Sequence, residues 1–338
     1  MLPLAVREID IALRLCSQHM VIMLMKKNKK AVISCIAFIL LIIWVVLTVW
    51  NKAVPIVEQK QTDGSFSLFP GEWRFTRCAG TSEKQSMFYS IVDAKGRLVL
   101  IDGGWDEAGD IEQVMSVIRA HDNHVTAWII THPHPDHVGA FNGVIRTYGS
   151  EVTIDHIYTV PVNRERYEET AQDYDVLSAY EDFLQLTEGM NNITFLREND
   201  ELDLIGMKMK VLHSWDGHTD ELQDHLCNDG SMMFRLTGRK NSMLFCADVQ
   251  KEMEQYILPA HEQELSSDFV QCAHHGNWGL SQEFYDIVSP QRAFIDAPAS
   301  ITGDTTGTYD CPSLIAHLQG NGVDVVTWTE QQYNFLFR

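Results

Sequence analysis

The chain has 338 residues and 45% hydrophobic content, enough for one large domain or two small ones. Its formal net charge is −20, and residues 1–50 hold six Lys/Arg against two Asp/Glu, which leaves −24 on the remainder. So acidic a body repels long polyanions unless a local basic groove or bound cations compensate, and this argues against a processive nucleic-acid enzyme. Of the seven cysteines, Cys16 and Cys35 lie near the N-terminus and Cys78, Cys227, Cys246, Cys272 and Cys311 in the body. The odd number in the body, without CxxC spacing, argues against a complete disulfide framework. Cys246 and Cys272 sit in apolar strand-like runs and read as buried thiols.

Met25-Lys26-Lys27-Asn28-Lys29-Lys30 has the look of a natural start, and the preceding residues read as an over-extended start or a weak amphipathic helix. Residues 31–50 are uncharged and almost wholly apolar. As a helix they would extend about 30 Å, the thickness of a bilayer core. Trp44 and Trp50 lie toward one end, and four lysines precede the segment. The expectation is therefore a single-pass protein of the cell membrane, its N-terminus (1–30) cytoplasmic and its body outside. A cleaved signal peptide fits less well, because its apolar region is normally shorter and no small-x-small site follows. Residues 51–63 read as a polar linker, and 64–338 as the functional domain.

In the body, Met87–Val92 and Arg97–Ile101 are β-rich runs around the turn Asp93-Ala94-Lys95-Gly96, a hairpin pattern. Asp102-Gly103-Gly104 closes the second strand. Asp110–Ala120 is helical by the spacing of Ile111, Val114, Met115 and Ile118. An apolar strand, Val125–Ile130, then leads into Thr131-His132-Pro133-His134-Pro135-Asp136-His137-Val138-Gly139. His132 and His134 are two apart and project to one side in extended backbone. Asp136 and His137 stand where a helix begins and can face the same pocket. Imidazole and carboxylate are ligands for zinc, manganese or iron, and Pro133 and Pro135 stiffen the loop. Four potential ligands ordered in this way at a strand end weigh against a His-rich surface loop.

His132-x-His134-x-Asp136-His137 resembles the HxHxDH signature of the metallo-β-lactamase fold superfamily. The nearest likeness is to the metallo-β-lactamase-like domain of DNA-uptake competence proteins and their stand-alone relatives, over about residues 64–338. The resemblance implies an α/β fold, a four-layer αββα sandwich, here preceded by the N-terminal membrane helix. It also implies one or two metal ions at the edge between the sheets and hydrolytic activity, with Asp102 supporting the metal loop.

Farther along, Val152–Val160 reads as a strand and Asn163–Thr187 as an amphipathic helix with Tyr167, Tyr174, Tyr180 and Phe183, able to line the metal pocket. Lys208–Leu212 is strand-like. His213, His218, His225 and Cys227 fall in the region from which the superfamily draws a third histidine for its first metal. Trp215–Thr219 is similar to the usual Gly-His-Thr context. Asn228-Asp229-Gly230-Ser231 instead resembles the competence-type subgroup, in which that histidine is often missing, so the third ligand stays open. Met243–Asp248 resembles Leu-Leu-x-Gly-Asp, with Ala247 in place of glycine, and implies that Asp248 bridges two metals. Phe269–Gly276 resembles the last motif and implies a ligand at His275, with His274 as its orienting neighbour or alternative. Arg292–Ala297 is a strand, and Ser313–Gln319 a helix followed by a strand over 322–329. Cys311 stands where the subgroup has a histidine.

The implied centre is two divalent ions, zinc first and manganese or iron as alternatives, held by His132, His134, Asp136, His137, Asp248 and His275 or His274. Asp136 and His137 are assigned to catalysis as well. Metal binding lowers the pKa of water from about 15.7 to about 7, and the resulting hydroxide attacks phosphorus or a carbonyl carbon without a Ser or Cys nucleophile. The expected function is a membrane-anchored phosphodiesterase acting on a small-molecule or cell-envelope phosphodiester, with long nucleic acid disfavoured. The alternatives are hydrolysis at a carbonyl centre (lactone, thioester or β-lactam) and a surface binding module that keeps its metal without turnover.

Overall fold

Alternation along short β-rich runs decides the architecture. In Ser242–Phe245, Met243 and Phe245 face one apolar core while Leu244 faces another. The neighbouring strands split in the same way, with Phe269 and Phe294 on the first side and Val270 and Ala293 on the second. A sheet apolar on both faces must be covered on both, and here one face meets a second sheet and the other meets helices. The computed structural model describes residues 67–172, 174–328 and 331–338, all within one structural unit, Lys60–Arg338.

The first half comprises β1 (Trp73–Cys78), β2 (Phe88–Asp93), β3 (Leu98–Asp102), α1 (Ala108–Arg119), β4 (His124–Val125), β5 (Ala127–Ile129), α2 (Pro135–Tyr148), β6 (Thr153–Ile154), β7 (Ile157–Thr159), α3 (Arg164–Thr170), α4 (Leu177–Leu186) and β8 (Ile193–Phe195). The second comprises β9 (Glu201–Leu204), β10 (Met207–His213), α5 (Gly217–Glu221), α6 (Leu226–Asp229), β11 (Met233–Thr237), β12 (Ser242–Phe245), α7 (Glu254–Leu265), β13 (Phe269–Gln271), α8 (Gln282–Val288), β14 (Arg292–Phe294), α9 (Ala299–Thr302), α10 (Cys311–Gly320), β15 (Asp324–Val326) and β16 (Gln332–Phe337).

Two seven-stranded sheets result, in the orders β16-β1-β2-β3-β5-β7-β8 and β15-β14-β13-β12-β11-β10-β9. Each is antiparallel on one side and parallel on the other: β3, β5, β7 and β8 pair parallel in the first, β12 to β15 in the second. Parallel pairs need crossovers, and α1, α2, α3 with α4, α7, α8, and α9 with α10 supply them. Aromatic rings join the layers. Tyr89 of the first sheet meets Phe245 of the second edge-on at 5.2 Å, and Phe269 meets Phe335 at 5.1 Å. Each such fully buried ring contributes about 1.5–3 kcal/mol of transfer free energy.

The hairpin, the metal loop between strand and helix, and the strands ending near Asp248 and His275 follow the sequence pattern. The expected helix over 163–187 does not form as one piece: α3 and α4 are separate, joined by residues 171–176. Asp175 stands at the break. Its Oδ2 accepts from the Gln172 backbone N–H at 2.8 Å, closing a side-chain turn that competes with the helix, while its Oδ1 reaches His134.

The placement in the cell membrane expected from the sequence is corrected here. Among the described residues no helix is long and apolar enough to cross a membrane. Even the 14-residue α2 extends only about 21 Å, against roughly 30 Å of hydrocarbon. The expected span itself, 31–50, lies outside the described residues, as do the linker 51–63 and the segment 1–30.

Helix α2 is drawn tight against the turn after β3. A Cβ built on Gly139 would lie 2.4 Å from the Asp106 backbone nitrogen and 2.9 Å from the Gly104 carbonyl oxygen. Ala140 N–H donates to that same carbonyl at 2.8 Å. Helix propensity alone favours Gly139→Ala by about 1 kcal/mol, but the contact is with backbone that cannot step aside. Gly139→Ala is expected to destabilise by about 1–3 kcal/mol, read as a lower denaturant midpoint at unchanged slope; a rise would refute this packing.

Candidate metal centre

Potential ligands gather where parallel strands end, as loops at the carboxyl edges of such sheets do. The loop after β5 brings His132 and His134, and the first turn of α2 brings Asp136 and His137. Asp248 follows β12, and His275 lies in a short 3-10 turn after β13. Several hinge residues hold left-handed backbone without being glycine: Asp102 (φ 53°), Ala247 (φ 47°), His274 (φ 49°) and His275 (φ 57°). Strain of about 1–3 kcal/mol at each is tolerated only where surrounding bonds fix the chain. Gln271 does so for Ala247, its Oε1 accepting from the backbone N–H of Cys246 (3.0 Å) and Ala247 (2.8 Å).

Asp102 holds the loop from beneath. Its Oδ1 accepts from Thr131 N–H and its Oδ2 from Thr131 Oγ1, both at 2.7 Å. Oδ2 also accepts from His137 Nδ1 at 2.7 Å. These bonds fix tautomers. His137 carries its proton on Nδ1, so Nε2 faces inward. Thr131 Oγ1, already donating to Asp102, accepts from His132 Nδ1 at 3.2 Å, which turns His132 Nε2 inward. His275 Nδ1 donates to the Asp296 carbonyl at 3.1 Å, again freeing Nε2. His134 is reversed: its Nε2 donates to Asp175 Oδ1 at 2.8 Å, leaving Nδ1.

The inward atoms form two buried groups: Asp136, His137, Asp248 and His275 in one, His132, His134 and Cys227 in the other, with the ligand atoms of each within 4.8 Å of one another. His137 Nε2 lies 3.2 Å from His275 Nε2 and 3.2 Å from Asp248 Oδ1. His275 Nε2 is 3.2 Å from Asp136 Oδ2 and 3.4 Å from Asp248 Oδ2. The groups adjoin, since His132 Nε2 is 3.8 Å from Asp248 Oδ2.

The electrostatics are those of buried anions and imidazoles balancing one another. Burial opposes the imidazolium of His137, yet Asp248 and Asp102 hold its pKa well above the usual histidine range. Burial likewise opposes His275, which Asp248 and Asp136 raise to about 10. For His134, burial is outweighed by the Cys227 sulfur and Asp175, and its pKa is raised. Burial would raise Asp136 and Asp248, but His275 and His137 hold both carboxyls low. His132 goes the other way, its pKa lowered by burial and by His137.

His274, the alternative to His275, belongs to neither group; its Nε2 meets Asn228 Nδ2 at 3.4 Å. The candidates weighed for a third histidine are elsewhere too. His213 bonds the Asp229 carbonyl at 2.6 Å, His218 stacks on Tyr256 at 3.9 Å, and His225 stacks on Tyr174 at 5.4 Å. Cys311 is buried in the second core. The fold delivers two further residues: Cys227, named in the segment of the open third ligand, and Asp175, not singled out in the sequence. Cys227 lay among the histidines of its segment, immediately before Asn228-Asp229-Gly230-Ser231, and drew no separate attention. Asp175 carried no local signal, since only tertiary structure brings it to His134.

Asp102→Asn would leave His137 and Thr131 without their shared buried anion. The expected cost is about 3–5 kcal/mol, the magnitude for breaking one side of a buried pair, measured by denaturant unfolding in the presence of chelator so that metal contributes nothing. A change below 1 kcal/mol would show that the loop is held by something else.

Comparison with known proteins bears on the family and the fold. The sequence profile of the Metallo-beta-lactamase superfamily matches residues 85–292. No curated protein sequence matches the chain. Among solved structures, CmlA, a diiron β-hydroxylase from Streptomyces venezuelae, is similar with TM-score 0.52 at 11% identity, over 80% of this chain and 55% of CmlA. This chain thus spans about half the length of that protein. The metallo-β-lactamase fold protein YhfI from Bacillus subtilis aligns over 79% of this chain and 98% of its own, with TM-score 0.48 and 10% identity. With the profile covering more than half of its length, the chain belongs to the metallo-β-lactamase superfamily.

Proposed function

We propose that this protein is a metal-dependent hydrolase of small or terminal phosphodiesters. The observation that carries the metal dependence is the pair of buried donor groups with unpaired inward atoms. His132 Nε2 is buried without a hydrogen-bond partner, a costly state that a cation would relieve. Two imidazole nitrogens 3.2 Å apart, His137 Nε2 and His275 Nε2, also require a proton or a cation between them. Nitrogen and carboxylate donors suit zinc, manganese or iron. The donor set therefore fits two adjoining divalent ions.

Asp136, His137, Asp248 and His275 would hold one ion, and His132 and His134 the other, with Asp248 between the groups. Divalent ions there would supply Lewis acidity, lowering the pKa of water and neutralising charge on a reacting centre. The chain's own part is orientation. Asp102, the Asp296 carbonyl and Asp175 fix His137, His275 and His134 in the tautomers that present a lone pair inward. Asp136, held low by its imidazole neighbours, stays an anion at neutral pH, the form in which a carboxylate binds a cation.

The choice of phosphodiester rests on the likeness of Asn228–Ser231 to the competence-type subgroup. The choice of small substrates rests on charge. The −24 carried by residues 51–338 opposes a long polyanion, whereas one phosphate needs only the positive field of the ions themselves.

His134→Ala is expected to lose the metal of its group and to bring hydrolysis to background while the apolar core stays folded. Unchanged metal content and full activity in the purified variant would remove the assignment. Substrate class is tested separately by comparing turnover of a small chromogenic phosphodiester with that of plasmid DNA across a salt series. The small substrate should be cleaved faster, with little salt dependence. Faster cleavage per bond of plasmid, falling steeply with salt, would require a basic groove and overturn the small-substrate reading. Activity only on lactones, thioesters or β-lactams would move the reaction to a carbonyl centre, and bound metal without turnover would make the protein a binding module.

A further inference from the structure

We infer that Cys227 is a metal ligand, its thiolate completing with His132 and His134 a two-imidazole, one-thiolate site that favours zinc over manganese or magnesium. The inference rests on the metal-dependent reading above and extends it to a residue and an ion preference.

Three observations converge. The first is position: the Cys227 sulfur and the ligand nitrogens of His132 and His134 lie within 4.8 Å of one another, and all three residues are buried. Cys227 is free, buried and part of an apolar core, as Cys78, Cys246, Cys272 and Cys311 are, but among the described cysteines it alone joins such a group. The second is direction. Asp175 occupies His134 Nε2 and Thr131 occupies His132 Nδ1, so each ring is left with the other nitrogen as its free donor. His132 Nε2 in particular is fully buried and unpartnered. The third is the surrounding of the sulfur. Tyr167 is 1% exposed, and its hydroxyl has no partner other than the Cys227 sulfur. A thiolate at Cys227 would accept from this buried O–H more strongly than a neutral thiol does.

The same arrangement explains why residues 163–187 break into two helices. Helix α3 delivers Tyr167 toward the sulfur, and the break delivers Asp175 to His134. On binding, the Cys227 S–H proton passes to solvent and a sulfur–metal bond forms, with no change of oxidation state. A soft thiolate donor favours zinc over the oxygen-preferring ions.

The test is spectroscopic. Cobalt(II) exchanged into the full-length protein should show a thiolate-to-cobalt charge-transfer band in the near ultraviolet. The band should vanish in Cys227→Ser and persist in Cys311→Ser. Cys227→His, which keeps a ligand of the superfamily's usual type, should bind cobalt without the band and so reports even if Cys227→Ser fails to fold. Wild-type protein that binds cobalt without the band, or a band that survives in Cys227→His, would overturn the thiolate ligand and leave the metal-dependent reading standing. Wild-type protein that binds neither zinc nor cobalt would overturn both.

Discussion

The Asp102 carboxylate is the interaction on which the site depends. It ends β3, is wholly buried, and spends its two oxygens on Thr131 and His137, which belong to the next strand's loop and the next helix. A buried anion is costly unless every lone pair is used, and here the cost is offset by binding the histidine loop in one geometry. Thr131 relays the constraint to His132, and His137 turns its other nitrogen inward. Trp128 Nε1 adds a bond to the Asp102 carbonyl at 2.9 Å, tying the turn to the β5 strand beside it. The αL backbone of Asp102 and the close approach of Gly139 both follow from bringing α2 over this turn.

Around that anchor the protein concentrates buried charge in one place. Asp136 and Asp248 are held anionic, and His134, His137 and His275 are drawn toward the protonated state. Such a cluster is a poor way to gain stability, since well-packed apolar groups of the same volume would serve as well or better. It suits a site that exchanges protons for cations. The outer partners differ in kind: a carboxylate for His137, a carbonyl for His275, a hydroxyl for His132 and a carboxylate from an irregular segment for His134. The basicity of the four donors is thereby set separately.

Much of this could be read from sequence because it is local. The hairpin before Asp102, the strand–loop–helix order around His132–His137 and the strand ends at Asp248 and His275 follow from short apolar runs closed by polar residues, with the resemblance to the superfamily marking Asp248 and His275 as ligands. What escaped is non-local. Strand β16 pairs with β1 across the whole length of the domain, and no short-range pattern reports that. Asp175 and Tyr167 read as members of one amphipathic helix, because the side-chain turn that breaks it competes with helix by a margin that periodicity does not register. Cys227 was obscured by an expectation of histidine. The membrane placement rested on residues 31–50, and the described residues offer no helix that could carry it.

Metal-dependent hydrolysis at the paired donor groups is the central claim, and metal analysis coupled to activity tests it most directly. The purified protein should carry an ion for each of the two donor groups. It should lose hydrolysis of a small phosphodiester as chelation removes them and regain it when zinc is returned. Hydrolysis unaffected by complete removal of metal would contradict the account, as would protein that takes up no divalent ion at all.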